Sequence, residues 1–286
     1  MDIRNISVVG AGLMGHGIAQ VCAAAGFLVM LVDINDEVLG RALGRIDSSL
    51  ARLVKAGKLD EAGAAAIKKR ITTTTDLKAA ASGADLVIEA VPERLELKRE
   101  LFAELDRLAP AQAILATNTS ELSVTAIAAA TGRPEKVVGM HWFNPPVLMR
   151  LIEIVNGVDT SPQTTAAIQA LSARLGKETV VVQDRQGFIT TRALGAFLAE
   201  CVRMLEEGVA APEDIDKAIK LGLNHPMGPL ELADYTGLDT IAFVCEGLTH
   251  AYGDRFRAPQ TLVKLVEAGH LGRKTGRGFY TYEKAT

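Results

Sequence analysis

The run Gly10-Ala11-Gly12-Leu13-Met14-Gly15 constrains this chain more than any other stretch. It follows a short β-branched run, Ile6 to Val9, and precedes a helical pattern from about Ile18 to Ala25, so the order is strand, glycine turn, helix. Gly10 permits the tight turn. Gly12 lets a pyrophosphate approach the backbone with no Cβ in the way, and Gly15 lets helix and strand pack closely. An anion at this turn meets unpaired N–H groups and the positive end of the helix dipole. Gly10, Gly12, Leu13, Met14 and Gly15 are therefore expected to line a dinucleotide.

A glycine turn also arises for steric reasons alone, so its surroundings carry the weight. The next buried run, Phe27 to Val32, ends at Asp33, eighteen positions after Gly15. A carboxylate there accepts hydrogen bonds from both adenosine ribose hydroxyls and repels a 2′-phosphate, which favours NAD over NADP. The competing role for Asp33 is to cap the helix that follows.

Between Asp36 and Arg70 the pattern is two helices broken near Gly57, longer than the usual crossover between parallel strands. Most of its charges suit a solvated helix face. Arg52, Lys55 and Lys58 lie close to the bend and are placed to meet a phosphorylated substrate tail. Ala84 to Val91 is another buried strand run, a periodic helix covers Leu95 to Leu108, and Ala113 to Ala116 leads into Thr117-Asn118-Thr119-Ser120. Ligands of doubly wound sheets bind outside the carboxyl ends of the strands, which puts Ser120 at a ligand site; its other role is a helix N-cap before Val124 to Ala130.

The stretch from Val137 to Ile154 pairs a base with an acid. A strand-like run, Val137 to Met140, delivers His141 to a turn marked by Asn144, Pro145 and Pro146, and a second apolar run carries Glu153. A histidine whose second ring nitrogen meets a carboxylate is the arrangement that general acid–base catalysis requires; a histidine packed in a strand for structure alone is the other reading. Val180 to Gln183 closes this layer. Past residue 185 only helix patterns follow, within Phe188 to Leu205, after Pro212, around Leu230 to Leu232, from Thr240 to Tyr252 and from Pro259 to Ala268. The expected fold is α/β: a doubly wound, mostly parallel sheet with an inserted helical hairpin over 1–185, then an all-helical C-terminal domain over 186–286.

The 286 residues, 48% hydrophobic and 23% charged, suffice for two such cores. A net charge of −3 and no basic, aromatic-rich surface argue against nucleic acid as a partner. No apolar stretch approaches the ~18 residues of a membrane span, so neither a membrane anchor nor a signal peptide is expected. Cys22, Cys201 and Cys245 are odd in number and far apart, without CxxC or Cys/His spacing, which speaks against disulfides and metal and for a reducing cytoplasm.

Taken in order, Gly10 to Gly15 with Asp33, Glu89-Ala-Val-Pro-Glu93 with Lys98, Asn118-Thr-Ser120, His141-Trp-Phe-Asn-Pro145 with Glu153, Asn224-His-Pro-Met-Gly-Pro229 and Gly272-Arg-Lys-Thr-Gly276 resemble the 3-hydroxyacyl-CoA dehydrogenase family, in particular its short bacterial 3-hydroxybutyryl-CoA dehydrogenases. The resemblance implies a Rossmann-type domain, a helical domain that forms a homodimer, and hydride transfer between NAD and C3 of an L-3-hydroxyacyl-CoA. It implies that Glu93, Lys98, Asn144 and Lys274 contact the cofactor, that Ser120 holds the substrate's 3-oxygen beside the cofactor, and that His141 and Glu153 move the proton.

Two departures stand out. Arg52 occupies a place where short-chain relatives carry a CoA-contacting lysine and Ala56 occupies a second, which shifts phosphate recognition onto Arg52, Lys55 or Lys58. In Gly187-Phe-Ile-Thr-Thr191-Arg192, Thr191 replaces a substrate-positioning asparagine, trading an amide for one hydroxyl. The alternatives are a related hydroxy-acid dehydrogenase that does not use CoA, and an NAD-binding protein without turnover.

Overall fold

The computed structural model describes residues 2–283, and the chain divides into two compact units between Asp184 and Arg185. The first contains β1 (Asn5–Val9), α1 (Gly15–Ala24), β2 (Leu28–Val32), α2 (Asp36–Lys55), α3 (Glu61–Lys69), β3 (Ile71–Thr74), α4 (Leu77–Ala81), β4 (Leu86–Glu89), α5 (Leu95–Leu108), β5 (Ile114–Thr117), α6 (Val124–Ala128), β6 (Val137–Trp142), β7 (Leu151–Asn156), α7 (Pro162–Arg174) and β8 (Glu178–Gln183). One eight-stranded sheet results, in the order β3-β2-β1-β4-β5-β6-β7-β8. β3 through β6 of that order run parallel; β7 pairs antiparallel with β6, and β8 runs parallel to β7. From β1 the chain winds outward to β3, then returns to β4 on β1's other side. That reversal opens a crevice at the carboxyl ends of β1 and β4.

β4 and β5 are buried along their whole length and β1 from Ile6 to Val9, as expected of strands covered on both faces. Ile6, Val8, Ile18, Leu31, Leu39, Ile46 and Trp142 share one apolar core. The inserted hairpin buries Leu39, Ala42, Ile46 and Leu50 of α2 and Ala64 and Ile67 of α3. Asn35 and Asp60 start its helices by accepting from the amides of Val38 and Gly63.

β3, α4 and α7 are additions to the expected elements. β3 reads Ile-Thr-Thr-Thr at a sheet edge, and α7 hides its period because Thr164, Thr165 and Ser172 share its buried face with Ile168 and Leu171. β6 runs two residues past the expected Val137–Met140 and so includes His141, which was expected at the strand's end.

The second unit is helical: α8 (Thr190–Glu206), α9 (Pro212–Gly222), α10 (Pro229–Thr236), α11 (Leu238–Tyr252) and α12 (Gln260–Glu267). Leu198, Val202, Leu230, Leu238, Ile241, Cys245 and Leu262 form its centre. Two buried aspartates tie down the chain after α12. Asp234 accepts from the amides of Phe279 and Tyr280 and from the Tyr282 hydroxyl, and Asp216 from the amides of Leu230 and Glu231 and the Tyr280 hydroxyl. Burial pushes the Tyr282 phenol up to about 12, aided by the Asp234 bond it donates. The Gly272–Gly276 motif is thus a turn folded onto Asp234: a Cβ on Gly272 would meet the Asp234 carbonyl oxygen at 2.2 Å.

All three cysteines are buried as thiols, and burial pushes Cys22 up to about 12. Among the described residues no helix is long and apolar enough to cross a membrane.

Candidate active site

The glycine turn joins β1 to α1 in the first unit. A Cβ on Gly12 would meet nothing within 4 Å, so that side of the turn is open to a ligand. No side chain caps the N-terminus of α1 and no acid lies in its first turn, which leaves the end of the helix to attract an anion. Leu13 is largely exposed beside it and Met14 is the residue that opens the helix. Asp33, at the end of β2, accepts from the amide of Ala11 at 2.6 Å and from that of Ile34 at 2.7 Å. Helix capping falls to Asn35, so Asp33 is not the cap of the helix that follows. These features fit a dinucleotide.

β6 and β7 bring together the two residues expected to form an acid–base pair. His141 lies directly opposite Glu153 in the antiparallel register, and its Nδ1 is 2.7 Å from Glu153 Oε2, with both residues buried. Facing residues of such a pair project from the same side of the sheet, and a slip of one residue would put the carboxylate on the other. Gly139 helps fix the register, because a Cβ there would meet Val155 Cβ at 2.7 Å. Asn118, just past β5, accepts from the amide of Trp142 at 2.9 Å, tying the Ser120 loop to the end of β6.

The carboxyl end of β4 holds a second group of charges. Lys98 Nζ lies 2.6 Å from Glu89 Oε1 and 3.2 Å from Glu93 Oε2, with no exposed side-chain surface. Glu89 also accepts from the amide of Val91 and the hydroxyl of Thr117, at 2.7 and 2.6 Å. Burial pushes the Glu89 carboxyl up, against the lowering pull of the Lys98 ammonium and these hydrogen bonds. Glu93, 27% exposed, accepts from the Thr119 hydroxyl and from the Ser120 amide at 2.8 Å, while the Ser120 hydroxyl is 3.4 Å away. Ser123, not Ser120, caps α6.

The model of the 3-hydroxyacyl-CoA dehydrogenase NAD binding domain matches residues 5–185, and that of the same family's C-terminal domain matches residues 187–282. The chain belongs to the 3-hydroxyacyl-CoA dehydrogenase family. Its similarity to individual members spans full length. It is 46% identical to a probable 3-hydroxybutyryl-CoA dehydrogenase of Bacillus subtilis, over 100% of both chains. It is 44% identical to the 3-hydroxybutyryl-CoA dehydrogenase of Bradyrhizobium diazoefficiens, over 99% of this chain and 97% of the other. The crystal structure of (S)-3-hydroxybutyryl-CoA dehydrogenase PaaH1 from Ralstonia eutropha superposes with a TM-score of 0.96 at 44% identity, over 99% of this chain and 100% of that one.

For a 3-hydroxyacyl-CoA dehydrogenase the placement of the remaining residues is informative. Arg52 and Lys55 lie exposed in the last turn of α2, and Lys58 is exposed just beyond it. Asn144 is exposed in the loop after β6, whose Pro146 packs against Gly17 of α1. Lys98, which the resemblance expects to contact the cofactor, has a covered ammonium paired with Glu89 and Glu93. In the second unit, Lys274 is paired with Asp239 at 2.5 Å, and Thr191 is half-buried in the first turn of α8. Glu89, Thr117 and Thr119 were not among the expected site residues. Glu89 and Lys98 carry a legible signal: an acid closes the apolar run Leu86-Val-Ile, and Lys98 shares the inward stripe of α5 with Phe102 and Leu105. Buried charges of opposite sign must be paired.

Proposed function

We propose that this chain interconverts an L-3-hydroxyacyl-CoA and the 3-ketoacyl-CoA with NAD, using His141 and Glu153 as the acid–base pair. The observation that carries the reading is the buried 2.7 Å contact between His141 Nδ1 and Glu153 Oε2. Nδ1 faces the carboxylate, and we assign the proton exchange with substrate to Nε2. When bound, NAD supplies the hydride acceptor. As hydride leaves C3, the hydroxyl proton passes to neutral His141, and Glu153 stabilises the imidazolium that forms; in the reverse direction His141 returns the proton to the 3-oxygen. Ser120 holds that oxygen by a hydrogen bond. The names of the relatives support a short acyl chain, and Arg52, Lys55 and Lys58 supply charge for the CoA phosphates.

Glu153→Gln keeps an acceptor for Nδ1 and removes the charge that favours imidazolium. It should lower kcat on acetoacetyl-CoA by ~10²-fold, within the range for general acid–base help, with NADH affinity nearly unchanged. Steady-state loss of NADH absorbance and a fluorescence titration give the two quantities. Unaltered turnover would take Glu153 out of the mechanism.

Thr191→Asn addresses the other departure. The wild type should already reduce acetoacetyl-CoA, because the hydride path and the His141–Glu153 pair do not need an amide at Thr191. A wild type without activity, rescued by the asparagine variant, would overturn that expectation. Inhibition by free CoA separates this activity from that of a hydroxy-acid dehydrogenase that ignores CoA.

We further propose a cytoplasmic homodimer formed through the second unit. Support comes from the three buried thiols and from Val209, Leu221, Leu223 and Phe243, apolar side chains exposed on that unit. Sedimentation equilibrium tests the dimer, and a monomer at micromolar concentration would refute it.

A further inference from the structure

Two carboxylates and one ammonium converge at the end of β4 where an apolar strand end would cost less. Taking such charges out of water is expensive, and a buried ion pair contributes little stability relative to packed hydrocarbon. What the group does provide is geometry. Glu89 is fixed from three sides, by the Lys98 ammonium, the Val91 amide and the Thr117 hydroxyl. Lys98 spans from Glu89 to Glu93, and Glu93 in turn receives Thr119 and the amide of Ser120. Each link is charge-assisted, the strong and directional kind of hydrogen bond or ion pair.

We propose that Glu89 is a positioning residue for the reaction: through Lys98 it holds Glu93 against the Thr119 hydroxyl and the Ser120 amide and so sets where the Ser120 hydroxyl meets the substrate's 3-oxygen. The inference rests on the proposed role of Ser120 and adds a residue that touches neither substrate nor cofactor. Glu89→Gln preserves shape and removes one charge. Lys98 is then balanced by Glu93 alone, and Glu93 is drawn away from Ser120. The Ser120 amide loses its acceptor, and the Ser120 side chain loses the support that fixes its position.

Two measurements decide the matter. In hydrogen–deuterium exchange, the peptide containing residues 118–122 should exchange about tenfold faster in Glu89→Gln than in wild type, because a local hydrogen bond has opened. In kinetics, Glu89→Gln should lower kcat/KM for acetoacetyl-CoA about tenfold in the wild-type background and less than about twofold in Ser120→Ala, since coupled residues are not additive. Unchanged exchange at 118–122 would overturn the proposal, and so would an equal penalty in both backgrounds, the pattern of a merely structural residue. If Glu89→Gln fails to fold, Thr117→Val removes one of Glu89's anchors without stranding a charge. It should move both readouts in the same direction by about threefold, and the absence of both shifts would equally overturn the proposal. A wild type that turns over no 3-ketoacyl-CoA rejects the activity alone; the exchange arm still decides whether Glu89 orders Ser120.

Discussion

Replacing His141 by asparagine should lower kcat in both directions by ~10²–10⁴-fold while leaving NADH affinity within about twofold of wild type. The asparagine amide keeps a donor near the position of Nδ1, so buried Glu153 retains a partner on β6, and what disappears is the ring nitrogen that exchanges a proton with substrate. Loss of a partner altogether would strand a buried carboxylate and confuse catalysis with folding. Because the substitution avoids this, the melting temperature serves as a control. Steady-state rates on acetoacetyl-CoA and on the hydroxyacyl-CoA give the turnover, and a titration of NADH fluorescence gives the affinity. A variant that keeps more than about a tenth of wild-type kcat would show that the proton leaves by another route.

The glycine turn yields the second large effect, and it separates two reasons for a glycine. A Cβ on Gly15 would lie 1.7 Å from the Gly10 carbonyl oxygen, a distance that only a shift of the backbone relieves. Gly15→Ala should therefore displace the start of α1, lower the melting temperature and weaken NADH binding by ~10²-fold or more, equivalent to about 2.8 kcal/mol. Gly12→Ala meets no protein atom within 4 Å. It should melt like wild type and still bind NADH poorly, since its methyl occupies space reserved for the pyrophosphate. Thermal melting and NADH titration of the two variants side by side distinguish them. Equal melting temperatures for both would mean that the turn absorbs the Gly15 methyl, and full NADH affinity in Gly12→Ala would remove the phosphates from that side of the turn.

How far such features are legible in the order of residues depends on whether their cause is local. The glycine turn, Asp33 and the helix from Leu95 to Leu108 are set by neighbours in sequence, and they stand where residue type and period put them. The strand bearing His141 extends further than its apolar run, because register with β7 and the Asn118 bond to Trp142 continue it through two more residues. Partners on other strands are invisible in a periodicity, so β3, a four-residue edge strand rich in threonine, leaves little trace. The helix cap ahead of α6 illustrates a different limit. Ser120 and Ser123 are both eligible by type; Glu93, from another loop, holds the Ser120 amide, and Ser123 takes the cap. Lys98 is hidden for the same reason: a lysine in a helix ordinarily points to water, and only Glu89 and Glu93 converging from β4 and its loop allow it to turn inward.

The couple on β6 and β7 has a consequence for how the site comes into being. His141 and Glu153 are only twelve positions apart in the chain, so closing the hairpin between them restricts a short segment and little else. The dinucleotide crevice, by contrast, needs β1, β2 and β4, whose ends at Val9, Val32 and Glu89 must be gathered from distant parts of the chain. One half of the chemistry is therefore assembled locally and the other by long-range topology. A lesion in the nucleotide crevice should leave the histidine and its carboxylate paired.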